Sequence, residues 1–158
     1  MSFVFGDIKS VSANLATLVN NIETEDSASI TMTTESKALI SSSITLGAAN
    51  NTSRLKFIFS NITAESGDNP YAPGEGKWIF TSRDPVKQYE LNEIINLYQK
   101  KITPDQDGFR SFFQEIANHL NGKKFNIIEA WEGLKSIELA AAIYYSSCLL
   151  YTSDAADE

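Results

Sequence analysis

Four stretches near the start of the chain alternate apolar and polar side chains with a period of two. In residues 7–15, Lys9, Val11, Ala13 and Leu15 alternate with Ile8, Ser10, Ser12 and Asn14. In residues 27–34, Ala28, Ile30 and Met32 alternate with Ser29, Thr31 and Thr33. In residues 38–46, Ile40, Ile44 and Leu46 share one side, and Ser41, Ser43 and Thr45 share the other. In residues 54–60, Leu55, Phe57 and Phe59 oppose Arg54, Lys56 and Ser60. With their β-branched and aromatic content, these stretches predict four strands. Two shorter strands are expected at residues 61–64 and 77–81. Glu35-Ser36 reads as a hairpin turn and residues 47–53 as a polar connector. Residues 65–76, rich in Gly, Pro, Asn and Asp, read as loop.

The second half changes period. Leu91, Ile94, Ile95 and Tyr98 fall on one stripe and predict a helix over residues 89–100. Thr103-Pro104-Asp105 then supplies a breaker and a candidate N-cap. Phe109, Phe112, Phe113, Ile116, Ala117 and Leu120 recur at steps of three and four, and Gly122 suits the left-handed position that ends such a helix. Ala130, Leu134, Ile137, Ala141 and Tyr144 mark a last helix over residues 130–148. Its stretch 139–145 is apolar nearly all round, so this helix is expected to be the more deeply buried.

Strands followed by helices point to an α+β fold, a mostly antiparallel open β-sheet with helices packed on one face. Ile30 and Ile44 are expected to face the helices, so Lys at either should unfold the domain. The opposite face carries Ser29, Thr31, Thr33, Ser41, Ser43 and Thr45, a flat carpet of short hydroxyl side chains. Such a face is either simply solvated or able to meet a second sheet, which makes these six residues a candidate oligomer interface.

Composition narrows the chemistry. Thirteen basic against twenty acidic residues give a net charge of −7, and the cations are scattered, which argues against a nucleic-acid partner. A single cysteine, Cys148, excludes an internal disulfide framework and multi-thiolate zinc, and it reads as packing at the end of an apolar helix. The one histidine, His119, excludes metal sites or triads needing two, and a helix C-terminus is a sufficient reason for it. Glu23-Thr24-Glu25-Asp26 reads as solvated turn acids rather than a general acid–base pair. Tyr71-Ala72-Pro73-Gly74-Glu75-Gly76 follows no strand and opens no helix, so the dinucleotide fingerprint fails. Trp78 and Trp131 with nearby tyrosines can line a carbohydrate pocket, but aromatic residues at sheet edges usually pack. Catalytic, cofactor-binding and metal-binding residues are therefore all read as none. No secretory signal and no apolar run of roughly 20 residues is seen, which reads as a soluble, cytoplasmic chain without membrane contact. The sequons at Asn50, Asn51 and Asn61 then read as chance.

Three segments carry a resemblance. Phe3-Val4-Phe5-Gly6-Asp7-Ile8-Lys9-Ser10-Val11-Ser12-Ala13 resembles the stretch that enters the sheet of the C-terminal domain of the Gfo/Idh/MocA oxidoreductases (glucose–fructose oxidoreductase and inositol dehydrogenase). Ile22-Glu23-Thr24-Glu25-Asp26-Ser27-Ala28 resembles that domain's lead into its next strand. Asp107-Gly108-Phe109 to His119-Leu120, then Trp131-Glu132-Gly133-Leu134-Lys135-Ser136-Ile137-Glu138-Leu139-Ala140 to Ile143-Tyr144-Tyr145-Ser146, resembles its closing helix pair.

The resemblance implies a parent NAD(P)-dependent oxidoreductase acting on a sugar, cyclitol or related polyol. In that family a Rossmann domain with a glycine-rich turn and a Glu-Lys-Pro motif comes first, and a D-x-G-x-H motif supplies a proton-transferring histidine. None of those residues has a counterpart here, so this chain alone is expected to bind no cofactor and to be inactive, with NAD or NADP implied for the parent. Pro104-Asp105-Gln106-Asp107-Gly108 lacks the histidine that some members carry there. Residues 1–148 read as a partial C-terminal sheet domain, homo-oligomeric through the open face and missing its Rossmann partner. Residues 149–158 read as a non-native or disordered tail, similar to translated adapter read-through from metagenomic assembly, or else as a genuine acidic tail. The alternative function is a stand-alone, non-catalytic α+β interaction module, and a third is a small-ligand binder using Tyr71 and Trp78.

Overall fold

Alternation at the head of the chain becomes a three-stranded antiparallel sheet in the order β1 (Ile8–Ala16), β2 (Ser27–Thr34), β3 (Leu39–Thr45). These elements come from a computed structural model that describes residues 2–101, 108–123 and 130–153. A short helix, α1 (Ser2–Phe5), precedes β1; four residues are too few to leave a periodic signal. The register sets Val11 opposite Met32, Ala13 opposite Ile30 and Met32 opposite Ile40, so the apolar residues of all three strands share one face. Ala13, Ile30, Met32 and Ile40 are buried there. The hairpin between β2 and β3 turns through Glu35, Ser36 and Lys37, with Lys37 in the left-handed region at φ 65°. Thr34, fully buried, holds that turn: its Oγ1 accepts from the Ala38 N–H at 3.0 Å and bonds the Ser36 hydroxyl at 2.8 Å.

Helix α4 (Ala130–Ser153) covers this sheet, and its Leu139 and Ile143 pack on the core cluster. It does a second job at the edge. The Ala13 and Leu15 N–H groups, which point away from β2, donate to Ser146 Oγ and Ser147 Oγ at 3.1 Å each. Two adjacent serines thus satisfy strand donors that the sheet cannot, and the edge of β1 is closed to other strands. Lys135 adds an exposed ion pair to Asp7 at 3.1 Å.

By contacts the chain divides into two units, Met1–Ala48 with Asn126–Glu158 and Ala49–Phe125. The second unit carries its own antiparallel sheet, β4 (Lys56–Ile58), β5 (Ile62–Glu65), β6 (Ile79–Ser82), so the strands pair as two sheets and not as one. Trp78 stacks with Phe57 and with Phe80, ring centroids 5.7 and 6.3 Å away, beside buried Ala64. A 3₁₀ turn capped by Asp84 leads into α2 (Gln88–Gln99). Gln88 presents its amide to the free edge of β6, accepting from the Ser82 N–H at 2.8 Å and donating to the Phe80 carbonyl at 3.0 Å. One side chain there supplies the donor and acceptor of a neighbouring strand. Helix α3 (Gly108–Leu120) ends as expected at Gly122, φ 76°, where Gly122 and Lys123 N–H groups return to the His119 and Asn118 carbonyls. The candidate cap at Thr103-Pro104-Asp105 and tail residues 154–158 lie outside the described residues.

Several expectations are corrected. Helix α4 is not deeply buried: Leu134, Ile137 (69% exposed), Tyr144, Tyr145 and Leu149 face outward, because only the side bearing Leu139, Ile143, Ser146 and Ser147 meets the sheet. Cys148 is exposed for the same reason. Ile44 lies on the core face by register but is 51% exposed, since the cover reaches β1 and not the far end of β3.

Asp26 is not a solvated turn acid. It is 2% exposed, and its carboxylate accepts from the Leu18, Val19 and Asn20 N–H groups at 2.8, 2.9 and 2.6 Å, and from Asn20 Nδ2 and Ser27 Oγ. The backbone donors hold its carboxyl far below the usual range, against a desolvation that acts the other way. Gly47 lies against the Val19 side chain with no room for a Cβ, so the same loop is packed as well as bonded.

Three outcomes are expected. Ser147→Ala leaves the Leu15 N–H without its acceptor and lowers stability by about 1–3 kcal/mol in urea melts. Ile30→Lys unfolds the first unit, whereas Ile44→Lys shifts stability by no more than about 0.5 kcal/mol, as for an exposed site. Because the folded Asp26 carboxyl is depressed, its stabilisation is present above the unfolded value, about pH 4, and is lost as pH falls through the folded one. The stability gap between wild type and Asp26→Asn should therefore narrow below about pH 4; a constant gap would mean that ionisation is not what holds the loop.

Candidate functional site

The face of the first sheet opposite its core is assembled from all three strands. Register sets Ser29 opposite Ser43 and Asn14, Thr31 opposite Ser41 and Ser12, and Ser27 opposite Thr45. Ser29, Thr31, Ser41, Ser43 and Thr45 are exposed and Thr33 is half-buried, so all six sequence-predicted residues lie on one side of one sheet. Ser10, Ser12 and Asn14 extend the carpet onto β1, and Leu39, 84% exposed, is its apolar corner. The sequence reading of this face named none of these four. The signal for them was present, because Ser10, Ser12 and Asn14 alternate with the core residues of β1 and Leu39 has the parity of Ser41.

The carpet is partly tied to itself. Ser10 and Thr33 share a short hydroxyl–hydroxyl bond, Ser27 Oγ and Thr45 Oγ1 lie 3.1 Å apart, and the Thr31 hydroxyl donates to the Ser12 carbonyl at 3.4 Å. Hydroxyls bonded along the sheet lie down and keep the surface low. A shallow trough of about 420 Å³ crosses it, lined in part by Ser10, Ser12, Thr31, Thr33, Leu39 and Ser41. No residue at these positions is charged, so the face offers no acid, base or ligand set for chemistry. It offers a flat, neutral surface on which another flat surface can lie.

The remaining candidates are engaged elsewhere. Glu25 accepts a short hydrogen bond from the Tyr144 hydroxyl; that bond holds the Glu25 carboxyl below its ordinary value and pushes the tyrosine up. Loop and helix are thereby linked, with no substrate-facing pair. Trp78, proposed for a small-ligand pocket with Tyr71, stacks with two phenylalanines and its Nε1–H donates to the Gly74 carbonyl at 3.0 Å. Tyr71 is exposed with its N–H on Ser53 Oγ. His119 sits in the last turn of α3. Among the described residues no group of three or more His, Cys, Asp or Glu can hold a metal. A second depression, about 320 Å³, lies where β6 meets α2, and its rim mixes Arg83 and Lys87 with Asp84 and Glu90, which selects no single charge.

Among the described residues no cradle for a nicotinamide dinucleotide is formed. Its pyrophosphate needs a glycine-rich turn between a parallel strand and a helix N-terminus. All strand pairs among the described residues are antiparallel, and the Gly74–Gly76 stretch opens no helix. No helix of the described residues is long and apolar enough to cross a membrane.

Comparison with known proteins agrees with this architecture. Residues 1–148 match the family model for the C-terminal alpha/beta domain of the Gfo/Idh/MocA oxidoreductase family. No curated protein matches the chain. Among solved structures, the WlbA dehydrogenase of Chromobacterium violaceum, in complex with NADH and UDP-GlcNAcA, aligns with a TM-score of 0.68 and 23% identity over 93% of this chain. The WlbA dehydrogenase of Bordetella pertussis, with the same two ligands, aligns with a TM-score of 0.68 and 23% identity over 92% of this chain. In both cases the chain spans 40% of the length of the matched protein. An α+β chain with antiparallel sheets, matched over residues 1–148, belongs to the Gfo/Idh/MocA oxidoreductase family as its C-terminal domain.

Proposed function

We propose that this chain is the substrate-side sheet domain of an NAD(P)-dependent oxidoreductase acting on a sugar, cyclitol or related polyol. In the complete enzyme a Rossmann domain binds the dinucleotide. The sheet domain walls the substrate pocket and joins subunits through its open face, and it contributes no catalytic residue. The observation that carries this reading is the family match across residues 1–148. Support for the cofactor and substrate class comes from the two WlbA dehydrogenases, whose complexes hold NADH and a sugar nucleotide. Oxidising a secondary alcohol needs a hydride acceptor and a base at the hydroxyl. The Glu-Lys-Pro and D-x-G-x-H motifs that the family resemblance assigns to those tasks have no counterpart in these residues.

The open face fits a subunit contact for a steric reason. Short side chains let two sheets approach to about 10 Å, the spacing of stacked sheets, whereas long charged ones hold them apart.

Two measurements test the proposal. Calorimetric titration of the chain with NAD and with NADP is expected to give no binding tighter than about 1 mM; a micromolar Kd would place the dinucleotide site in this chain. Thr31→Lys, which puts an unpaired charge at the centre of the face, is expected to lower the mass seen by light scattering about twofold while circular dichroism stays unchanged. An unchanged mass would remove the face from the contact.

A further inference from the structure

Helix α3 ends in a cap made of crossed backbone bonds. The Gly122 N–H donates to the His119 carbonyl at 2.9 Å, and the Lys123 N–H reaches past it to the Asn118 carbonyl at 3.0 Å. With Gly122 at φ 76°, this is the Schellman arrangement. Asn121 is the last residue before the reversal. Its backbone N–H and its side-chain Nδ2 both donate to the Ala117 carbonyl, at 3.1 and 2.8 Å.

The left-handed position requires Gly122, and that requirement sets a glycine directly after an asparagine. No other asparagine of the chain precedes a glycine. Asparagine is a thermolabile residue, and this pair carries the reason within itself. Asn121 Cγ is an electrophile, and the Gly122 nitrogen is the right number of bonds away to close a five-membered ring with it. Without a Cβ on Gly122 the nitrogen is unhindered and the peptide turns freely. In the cap, however, both reacting groups are engaged, the Gly122 N–H on His119 and the leaving Nδ2 on Ala117.

We propose that Asn121 is a self-modification site, converted to aspartate and isoaspartate by the Gly122 nitrogen whenever the cap of α3 opens. Hydroxide takes the proton of the Gly122 N–H, and the nitrogen forms a bond to Asn121 Cγ. The Cγ–Nδ2 bond breaks, and Nδ2 leaves as ammonia with a proton from water. Water then opens the ring. Attack at Cγ gives aspartate in a normal main chain. Attack at the Asn121 main-chain carbonyl carbon gives isoaspartate, with the chain running through Cβ and Cγ. Nothing is oxidised or reduced, and water is the co-reactant. The remaining atoms all belong to residues 117–123, so the step does not involve the first unit.

Either product undoes the cap that restrained its formation. The Ala117 carbonyl loses the Nδ2 donor, and a carboxylate stands at a helix C-terminus, where the dipole disfavours anions. Isoaspartate also lengthens the main chain by one carbon, so the Gly122 and Lys123 N–H groups no longer meet their two carbonyls in register. The conversion is one-way, and α3 loses its last turn as the chain ages.

Mass spectrometry of aged protein tests it. The folded chain, held at mildly alkaline pH, is expected to exchange amide for acid at Asn121 ahead of every other asparagine. The tryptic peptide that carries Asn121 should split into an aspartate and isoaspartate pair. In urea, where the cap is absent, conversion should run about tenfold faster or more, the factor expected for losing a hydrogen bond or two. Lys123→Pro removes the Lys123 N–H from the cap and leaves the reacting atoms in place. At unchanged circular dichroism it should speed the folded chain about tenfold and leave the rate in urea unchanged. Asn121→Gln, with the amide on a longer side chain, should abolish the product. Conversion in urea with none in the folded chain would overturn the site, and so would faster conversion at another asparagine. Equal folded rates for wild type and Lys123→Pro would overturn control by the cap.

Discussion

Everything in the first unit depends on how a three-stranded sheet, too small to bury its own apolar side, is closed by a helix that comes from the other end of the chain. Helix α4 brings Leu139 and Ile143 onto the cluster of Ala13, Ile30, Met32 and Ile40. One turn further on, Ser146 and Ser147 take the Ala13 and Leu15 N–H groups. The first contact removes apolar area from water, at roughly 25 cal/mol per Å². The second removes the penalty of leaving strand donors unsatisfied next to an apolar helix. Neither works without the other, because a helix laid along an uncapped strand would bury the donors it covers.

The same economy explains the asymmetry of the sheet. Covering one side and one edge leaves the other side and the other edge. The uncovered side is built from hydroxyl residues that bond along the sheet, Ser10 with Thr33 and Ser27 with Thr45, so it stays flat and uncharged. At β3 the ladder phase turns the backbone groups of Leu39, Ser41, Ser43 and Thr45 away from β2. In the second unit the corresponding problem at β6 is solved locally by Gln88, one helix turn away from the strand it caps. The family match over residues 1–148 makes this the C-terminal alpha/beta domain of the oxidoreductase family.

The acid cluster before β2 shows how much a tertiary setting changes a residue's role. Glu25 and Asp26 are neighbours, yet Asp26 folds inward to collect the Leu18, Val19 and Asn20 N–H groups while Glu25 reaches out to Tyr144. Both carboxyls are held ionised, one by the backbone and one by a phenol. Their task is to fix the chain path between β1 and β2 and to tie that path to α4, which keeps the register of the carpet in place.

What the sequence determined by itself was the local and the periodic. Two-residue alternation placed the first four strands, three- and four-residue spacing placed α2, α3 and α4, and Gly122 ended α3 where its positive φ is needed. Parity alone put Ser29, Thr31, Thr33, Ser41, Ser43 and Thr45 on one side, because adjacent strand residues must point oppositely. The ordered match of three segments named the family. Only the tertiary structure decided which apolar residues are covered. Ile30 and Ile44 have the same parity and the same chemistry, and they differ because α4 reaches β1 and not the end of β3. It also decided that the apolar helix α4 is half exposed, that Asp26 is buried, and that the strands pair as two sheets. The partners of Asp26 lie six to eight residues back in a loop without periodicity, and those of Ser146 and Ser147 lie more than a hundred residues away. Periodicity records which side of an element a residue is on, whereas burial depends on what arrives to cover that side, and that is a property of the packed chain.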